Sequence, residues 1–255
     1  MATVAWISVS PVKGLALRQL DECELTEAGV AGDRAFFLVD EDDRLVNSKG
    51  LGALQQIVPR FDDEAGTLEL QFPDGTTVAE QVAVDGSLEA RFWGVAVPVR
   101  VVVGPWSQAI SDFSGRSLRL VQAPGPATDR LRSGAATLLG TASLRAIARV
   151  TGMDEVDARR FRMNFGIDGL GEHEEDEWLG SRVRLGEAVV VPQGNVGRCA
   201  VTTQNPDTGE PGLDTLKALA AYRRELETTE PLPFGVHAAV AEAGRVRLGD
   251  RVALL

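Results

Sequence analysis

Two cysteines are the residues of this 255-residue chain best suited to hold a soft metal or to attack an electrophile. Cys23 lies in "DECELT", where it shares strand parity with Asp21 and Leu25, while Glu22 and Glu24 point to the other face. We therefore predict that Cys23 is a thiol packed in the core, which is the common fate of a cysteine on an apolar face.

Cys199 has a different setting, in "GNVGRCAVTTQNPDTGE" at residues 194–210. The glycines before it permit close approach of the backbone, and the segment after it predicts a strand that breaks into an Asn-Pro-Asp turn. Arg198 beside it would favour the thiolate, the form that coordinates metals and attacks electrophiles. From these residues alone, buried filler, nucleophile and metal ligand all remain open.

Neither the histidines nor the nucleotide-binding motifs point to a functional site. His173 lies in the acidic run "GEHEEDEW", which predicts a solvated face rather than a divalent-ion site because EF-hand spacing is absent. His237, in "FGVHAAV", predicts a packed strand residue. The spacing suggests neither a Ser/His/Asp nor a Cys/His pair, and the chain contains neither a GxGxxG after a strand nor a GxxxxGK[ST].

Three basic residues lie where a predicted strand begins or ends, at the edges from which loops build sites on a rigid scaffold. They are Lys13 in "SPVKG", Arg34 in "AGDRAFFLVD" and Arg162 in "RRFRMNFGID". Taken singly, each is better read as a surface charge.

Composition narrows the class of protein. With 44% hydrophobic and 25% charged residues, the chain is an ordinary globular sequence. A formal net charge of -11 argues against nucleic acid as a partner. The two cysteines form no CxxC, and neither a signal-type apolar segment nor a run of roughly 18 apolar residues occurs. We expect reduced thiols, a cytoplasmic location and no membrane contact.

The elements that must position these residues are mostly strands. Alternating or short apolar segments predict strands at residues 4–9, 19–26, 35–40, 66–72, 88–92, 96–103, 117–124, 160–167, 182–185 and 188–191. Helices are predicted over 106–113, ending near Gly115, over "TASLRAIARVTG", and over about 213–225. Residues 123–130 predict a linker, and the C-terminal segment predicts two strands around an "EAG" turn. The pattern favours mostly antiparallel β structure in two parts.

The candidate residues lie in or beside six sequence segments that occur in a fixed order along the chain: "SPVKG", "AGDRAFFLVD", "RFRMNFGID", "EDEWLG", "GRCAVTTQNPDTGE" and "FGVHAAVAEAGRVRLGD". The chain thereby resembles MOSC-domain proteins, named for the C-terminal domain of molybdenum cofactor sulfurase. It is similar to the branch of amidoxime-reducing components and hydroxylaminopurine-detoxifying proteins. The resemblance implies a mainly β (α+β) fold with few short helices, in which residues 1–124 form the N-terminal β-barrel domain and residues 125–255 the MOSC domain.

The resemblance also implies the site. Cys199 would be the protein thiolate on molybdenum in a pyranopterin cofactor, in keeping with the preference of soft metals for sulfur. The pterin and its phosphate would be held by cofactor-binding residues Lys13, Arg34, Ser133, Arg162, Asn164 and Arg198, largely through charge-assisted hydrogen bonds. Ser133 is the nearest equivalent of an Asp-Thr-Ser group in the relatives. Two departures stand out: Gly14 replaces a serine of the animal relatives, and "LVNSKG" replaces their Thr-Ala-Arg.

The implied activity is a molybdenum-dependent oxidoreductase that reduces small N-hydroxylated or N-oxide compounds. We expect a separate electron-transfer protein of the ferredoxin, flavodoxin or cytochrome type, because the chain carries no fused ferredoxin domain with its cysteine cluster. A non-enzymatic carrier of molybdenum cofactor or persulfide sulfur on Cys199 is the alternative, and the sequence does not separate the two. The resemblance further associates the family with pyridoxal phosphate binding.

Overall fold

The computed structural model describes residues 1–127, 134–228 and 230–255. In these residues the α-helices are α1 (Trp106–Ser114), α2 (Thr141–Thr151) and α3 (Thr215–Tyr222). The strands are β1 (Ala2–Val9), β2 (Arg18–Leu20), β3 (Glu22–Thr26), β4 (Gly29–Val30), β5 (Phe36–Val39), β6 (Leu45–Val46), β7 (Val58–Asp62), β8 (Thr67–Gln71), β9 (Thr77–Gln81), β10 (Ala83–Phe92), β11 (Val95–Val103), β12 (Arg119–Gln122), β13 (Ala136–Gly140), β14 (Phe165–Asp168), β15 (Val183–Leu185), β16 (Ala188–Gly197), β17 (Pro233–Glu242), β18 (Gly244–Arg247) and β19 (Arg251–Leu254). None of the described helices is long and apolar enough to cross a membrane.

The largest sheet closes into a barrel. Seven strands follow one another in the order β14, β13, β17, β16, β15, β19 and β1, and β1 pairs with β14 to complete the ring. The closing register sets Ile7 opposite Phe165, and both side chains are fully buried with Leu138 and Val183 in the barrel core. Closure pairs the strand edges that an open sheet would expose.

A second core lies in the N-terminal half, where a five-stranded sheet (β10, β11, β12, β5, β6) meets a three-stranded one (β7, β8, β9). Trp106, at the start of α1, is fully buried among Phe36 and Leu68. Its indole N–H donates to the Leu68 carbonyl at 3.0 Å, which satisfies a polar group that burial would otherwise penalise. Gly115, with φ at 66°, ends α1 where the sequence predicted.

Strand pairing crosses the middle of the chain. The N-terminal strand β1 is one of the barrel strands and pairs with β19 near the C-terminus. Strand β3 pairs with β18, which sets Cys23 opposite Val246. Cys23 is buried, as its parity with Leu25 predicted. The mainly β fold with few short helices is confirmed. The boundary between residues 124 and 125 stays a prediction, and strands within the first thirty residues share sheets with strands that lie between residues 136 and 254.

Two of the predicted strands differ from the strands in the structure. The segment 19–26 divides at Asp21 into β2, which pairs with β1, and β3, which pairs with β18. The strand predicted at 160–167 is wrong in its first half. A 3-10 helix covers Ala158–Phe161 because the Asp157 carboxylate caps it by accepting the N–H of Arg159 at 2.8 Å. The extended chain resumes only at β14.

The C-terminal segment also differs from its prediction. The two strands around the "EAG" turn are present as β17 and β18, but β18 pairs with β3 rather than with β17. A third strand, β19, follows and pairs with β1 and β15. The two strands that the sequence predicted around one turn therefore belong to two different sheets: β17 to the barrel and β18 to the sheet of β3.

The acidic run at residues 172–177 is solvated only in part: Glu172 and Glu177 are exposed, as the sequence predicted, but the middle of the run turns inward. Glu175 is fully buried and accepts a hydrogen bond from the Ser143 hydroxyl at 2.7 Å. Burial raises the pKa of Glu175. Glu175 is buried because it lies in the 3-10 helix Glu174–Trp178, whose last residue, Trp178, is anchored in the barrel core. This anchor draws the segment inward.

His173 belongs to the same inward-turned segment. Its ring lies 5.7 Å from that of Tyr222 and 5.8 Å from that of Phe234, measured between centroids. Burial, and then the charge of Arg223, lower the pKa of His173 to about 4. The imidazole is therefore neutral at physiological pH and acts as a packing group.

We expect His173→Gln to weaken the pH dependence of stability. The folded-state pKa of about 4 lies below the ordinary value of 6.5, so the unfolded chain binds more protons between these values. The contribution of His173 is complete above pH 6.5 and is lost as the pH falls towards 4. Allowing for partial exposure, this loss is on the order of 1–2 kcal/mol. Urea denaturation at pH 7 and pH 4.5 measures the free energy of unfolding of wild type and of His173→Gln. An equal loss of stability between the two pH values in both proteins would contradict the prediction.

The segment 204–209 docks against the N-terminal half. Gln55 donates from Nε2 to Oε1 of Gln204 at 2.8 Å, in a buried contact. Next to it the backbones of Gly52 and Gly209 approach so closely that a Cβ added at Gly52 would lie 2.0 Å from the Gly209 carbonyl oxygen. This close approach excludes any larger residue unless the backbone moves.

Gly52→Ala should therefore lower the free energy of unfolding by about 1–3 kcal/mol, the usual cost of forcing atoms into a packed contact. Gly50→Ala is the matched control, because a Cβ there meets nothing within 4 Å. Urea denaturation of both variants at one pH makes the comparison. Equal stability of the two would show that the contact at Gly52 relaxes without cost.

Candidate functional site

A cleft of about 220 Å³ lies between the N-terminal half and the barrel. It is lined by five of the residues that the sequence singled out, contributed by both halves of the chain: Lys13, Arg34, Arg162, Arg198 and Cys199. The fold thus brings residues nearly two hundred positions apart to one site. Of the other two predicted residues, Asn164 lies behind the cleft wall, and Ser133 lies outside the described residues.

Cys199 lies at the edge of the cleft and is exposed. It follows β16 in an extended conformation and precedes the 3-10 helix Ala200–Thr203, which replaces the predicted strand. Its carbonyl accepts the N–H of Thr202 at 3.1 Å and the Thr202 hydroxyl at 3.0 Å. The Thr202 hydroxyl also lies 2.6 Å from that of Thr215 in α3. The backbone of Cys199 is therefore anchored while its thiol stays accessible.

Cys23 provides the contrast. Burial, followed by the charge of Glu24, raises the pKa of Cys23 to about 12. A thiol held in its neutral form is a poor metal ligand and a poor nucleophile. Only Cys199 of the two is placed for metal or group-transfer chemistry.

Arg198 braces the Cys199 backbone. Its guanidinium donates from Nε to the Phe234 carbonyl at 2.9 Å and from Nη1 to the Phe161 carbonyl at 2.8 Å. It also lies over the Phe161 ring, 5.5 Å from the centroid. Burial lowers the pKa of Arg198 to about 9, and a negative charge on Cys199 would oppose this shift. Arg198 thus has a role in positioning Cys199, and its predicted influence on the thiolate stays a prediction.

Arg34 and Arg162 link the two halves across the cleft. Arg34 donates from Nη2 to the Arg162 carbonyl at 3.1 Å, and Arg162 donates from Nη2 to the Leu15 carbonyl at 2.7 Å. Both arginines have positive φ, 52° and 54°. A side chain in this region costs roughly 1–2 kcal/mol, and such strain concentrates at functional sites.

Asn164 supports this pair from behind. It is buried, and its side-chain amide donates to Asp33 Oδ2 at 2.9 Å and to the Ser8 carbonyl at 3.1 Å. Asp33 also forms an ion pair with Arg34. These contacts give Asn164 a positioning role, and its predicted direct contact with a cofactor stays a prediction.

Lys13 lies deep in the cleft. Only 8% of it is exposed, and its Nζ donates to the Ala127 carbonyl at 3.1 Å and lies 5.3 Å from the centroid of the Phe92 ring. Cation–π contact and a carbonyl partner stabilise an ammonium in this setting. The lysine is a fixed point charge in the cleft floor rather than a surface charge.

The two departures from the family pattern turn out to be neighbours. Gly14 has φ at 92°, and a Cβ there would lie 2.9 Å from the Cα of Asn47. Asn47, Ser48 and Lys49, from "LVNSKG", line the cleft next to it. The glycine therefore leaves room for this segment, whose backbone a Cβ at residue 14 would crowd.

Arg160, His237 and Trp93 are among the cleft residues that sequence reasoning missed. Arg160 donates from Nη1 to the Gln204 carbonyl at 2.6 Å, and burial lowers its pKa. The "RRFR" run signalled a basic cluster but not which arginines face inward. His237 is buried as predicted, yet it also lines the cleft. Trp93 gave no signal, because it lies in a hairpin turn at the end of β10.

Among the described residues, no group of three or more His, Cys, Asp or Glu side chains is arranged to hold a metal ion. Cys199 is thus a single thiol donor beside a set of cations. Such a site is suited to an anionic ligand that carries its own metal donors.

Comparisons with known proteins find similarity to molybdenum cofactor sulfurases. A molybdenum cofactor sulfurase of Oryza sativa subsp. japonica is 38% identical over 72 residues, covering 28% of this chain and 8% of the relative. One of Drosophila grimshawi is 26% identical over 232 residues, covering 84% of this chain and 30% of the relative. The chain thus spans less than a third of the length of these curated relatives. A crystal structure of the YUAD protein from Bacillus subtilis aligns over 99% of this chain and 94% of that chain, with 12% identity and a TM-score of 0.46.

Two family models match in succession along the chain. The MOSC N-terminal beta barrel domain matches residues 1–108, and the MOSC domain matches residues 129–253. The chain therefore belongs to the MOSC family, related to the C-terminal domain of molybdenum cofactor sulfurase, and carries both of these domains.

Proposed function

We propose that the protein binds a molybdenum cofactor and reduces small N-hydroxylated or N-oxide compounds with electrons from a separate redox protein. One observation carries the proposal: the exposed thiol of Cys199 shares a single cleft with Lys13, Arg34 and Arg162. A soft donor at the edge and fixed cations inside match the two ends of a metal-bearing pterin phosphate.

The donor set fits this group. Cys199 would supply one thiolate, which suffices for a metal whose remaining sulfur ligands belong to the cofactor. Lys13, Arg34 and Arg162 would hold the pterin and its phosphate by charge-assisted hydrogen bonds. When bound, the cofactor would supply the two-electron redox chemistry that the side chains lack.

The chain's own residues set the conditions for this chemistry. Arg198 donates to the Phe161 carbonyl and the Thr202 hydroxyl donates to the Cys199 carbonyl. These bonds fix the backbone around Cys199, so the thiol is preorganised. Reduction of an N–OH group breaks the N–O bond, consumes two electrons and two protons, and releases water. The exposed edge of the cleft at Cys199 gives solvent protons access, so the proposal assigns no side chain as an acid.

The electron donor is proposed to be a ferredoxin, flavodoxin or cytochrome type protein. The formal net charge of -11 favours transient docking through a basic patch on that partner. Association should then weaken as salt is added. Pyridoxal phosphate binding and a cytoplasmic location, which the sequence analysis also raised, stay predictions.

A second function shares the same cysteine. The exposure of the Cys199 thiol, together with the likeness to proteins named molybdenum cofactor sulfurase, supports a carrier that holds cofactor or a persulfide sulfur and passes it on. The two proposals differ in turnover. A carrier retains molybdenum or labile sulfur without reducing an N-hydroxylated compound.

Cys199→Ala should remove most bound molybdenum and lower kcat/KM for benzamidoxime by more than about 100-fold, because the only protein thiolate on the metal is lost. The protein is produced in a host that makes the cofactor, and reduction is driven by an artificial electron donor. Metal analysis and turnover are measured on the same preparation.

Cys23→Ala is the matched control, since it removes the other thiol from the barrel core rather than from the cleft. It should keep its molybdenum content and turnover. Equal molybdenum in wild type and Cys199→Ala would overturn the assignment of the ligand. Molybdenum that depends on Cys199 without turnover would favour the carrier.

A further inference from the structure

Trp93 lies in an unusual place for its side chain. β10 and β11 form a hairpin in which Phe92 pairs with Val95, so Trp93 and Gly94 alone make the turn. Both have positive φ, 50° and 86°. Two-residue turns of this geometry favour Asn-Gly or Gly-Gly, because side chains with a bulky ring are disfavoured there. The turn alone therefore does not explain a tryptophan at this position.

The indole faces the cleft that contains Cys199. Trp93 lines that cleft although 53% of it is exposed, whereas Lys13 in the same cleft is only 8% exposed. The cations proposed to hold the cofactor therefore lie inside, and the indole lies at the outer rim. A molecule that enters from solvent meets the rim first.

Lys49 shares the rim, with its Nζ 5.8 Å from the centroid of the Trp93 indole. Exposed cation–π contacts correspond to roughly two- to five-fold in an equilibrium. Stacking of a planar ring on an aromatic side chain corresponds to roughly five- to hundred-fold. A planar ligand can therefore outcompete the flexible lysine for the ring face.

We propose that Trp93 is a stacking platform that makes the site selective for planar aromatic or heteroaromatic N-oxygenated compounds over aliphatic ones. This inference rests on the proposed function for its substrate class. The backbone strain at residue 93 is then explained by the placement of a rigid ring beside the reaction site. The pterin is also planar, but the rim position of the indole favours the substrate.

The test compares two amidoximes that differ in their flat ring, benzamidoxime and acetamidoxime. Their dissociation constants are measured by calorimetry on the protein as purified, with its molybdenum content recorded. Wild type should prefer benzamidoxime, and Trp93→Ala should reduce that preference about tenfold. Trp93→Phe should keep most of it, because a smaller ring still stacks and the turn is still occupied by an aromatic residue.

Val95→Ala is the matched control, since Val95 lies in the same hairpin, is exposed, and lies outside the cleft lining. It should leave the preference unchanged. An unchanged preference in Trp93→Ala would overturn the proposal, as would a wild type that prefers neither compound. Loss of molybdenum in Trp93→Ala would also overturn it and would indicate contact with the pterin.

The outcome is separable from that of the proposed function. Tight, Trp93-dependent binding of benzamidoxime without its reduction would leave the platform standing and remove the reductase. If wild type reduces benzamidoxime and Trp93→Ala keeps the same preference for it, the reductase stands and the platform is overturned.

Discussion

The cleft depends on one buried carboxylate, that of Asp33. Its Oδ1 accepts the N–H of Ser10 at 2.7 Å, and its Oδ2 accepts the amide of Asn164 and pairs with the Arg34 guanidinium. The carboxylate is 5% exposed, so its charge must be compensated inside the protein. That compensation comes from the first part of the chain and from the residues just before β14, which locks the two halves together at the floor of the site.

Because the cations of the cleft are held by such contacts, they are preorganised before any ligand arrives. Arg34 donates to the Arg162 carbonyl and pairs with Asp33, and Arg162 donates to the Leu15 carbonyl, so both guanidinium groups are held in place. Preorganisation lowers the entropy lost on binding. A negative protein can therefore hold an anionic ligand, because the local field of a few fixed cations outweighs distant surface carboxylates that salt screens.

Sequence patterns were sufficient where the determinant is local. The parity of Cys23 with Leu25, the glycine that ends α1 and the apolar periodicity of α2 each depend on neighbours within a few positions, and these predictions are confirmed. Patterns failed where the determinant is distant. The pairing of β18 with β3 joins residues more than two hundred positions apart, and Glu175 is buried because Trp178 reaches the barrel core. Neither fact is visible in a local window.

The site shows the same division. The resemblance to MOSC-domain proteins named Lys13, Arg34, Arg162, Arg198 and Cys199, and the structure brings them to one cleft. No local pattern could indicate that the tip of the β10–β11 hairpin reaches the same cleft, since that depends on how the N-terminal sheet packs against the barrel.

A cleft shared by two halves has an energetic consequence. A ligand that bonds Lys13 and Arg34 on one side and Cys199 on the other binds only while the halves are docked. Binding therefore stabilises the docked state, by an amount that grows with the logarithm of the ligand concentration divided by the dissociation constant. The close contact of Gly52 with Gly209 holds the same docking without ligand. Folding of the interface and occupancy of the site are thus one coupled equilibrium.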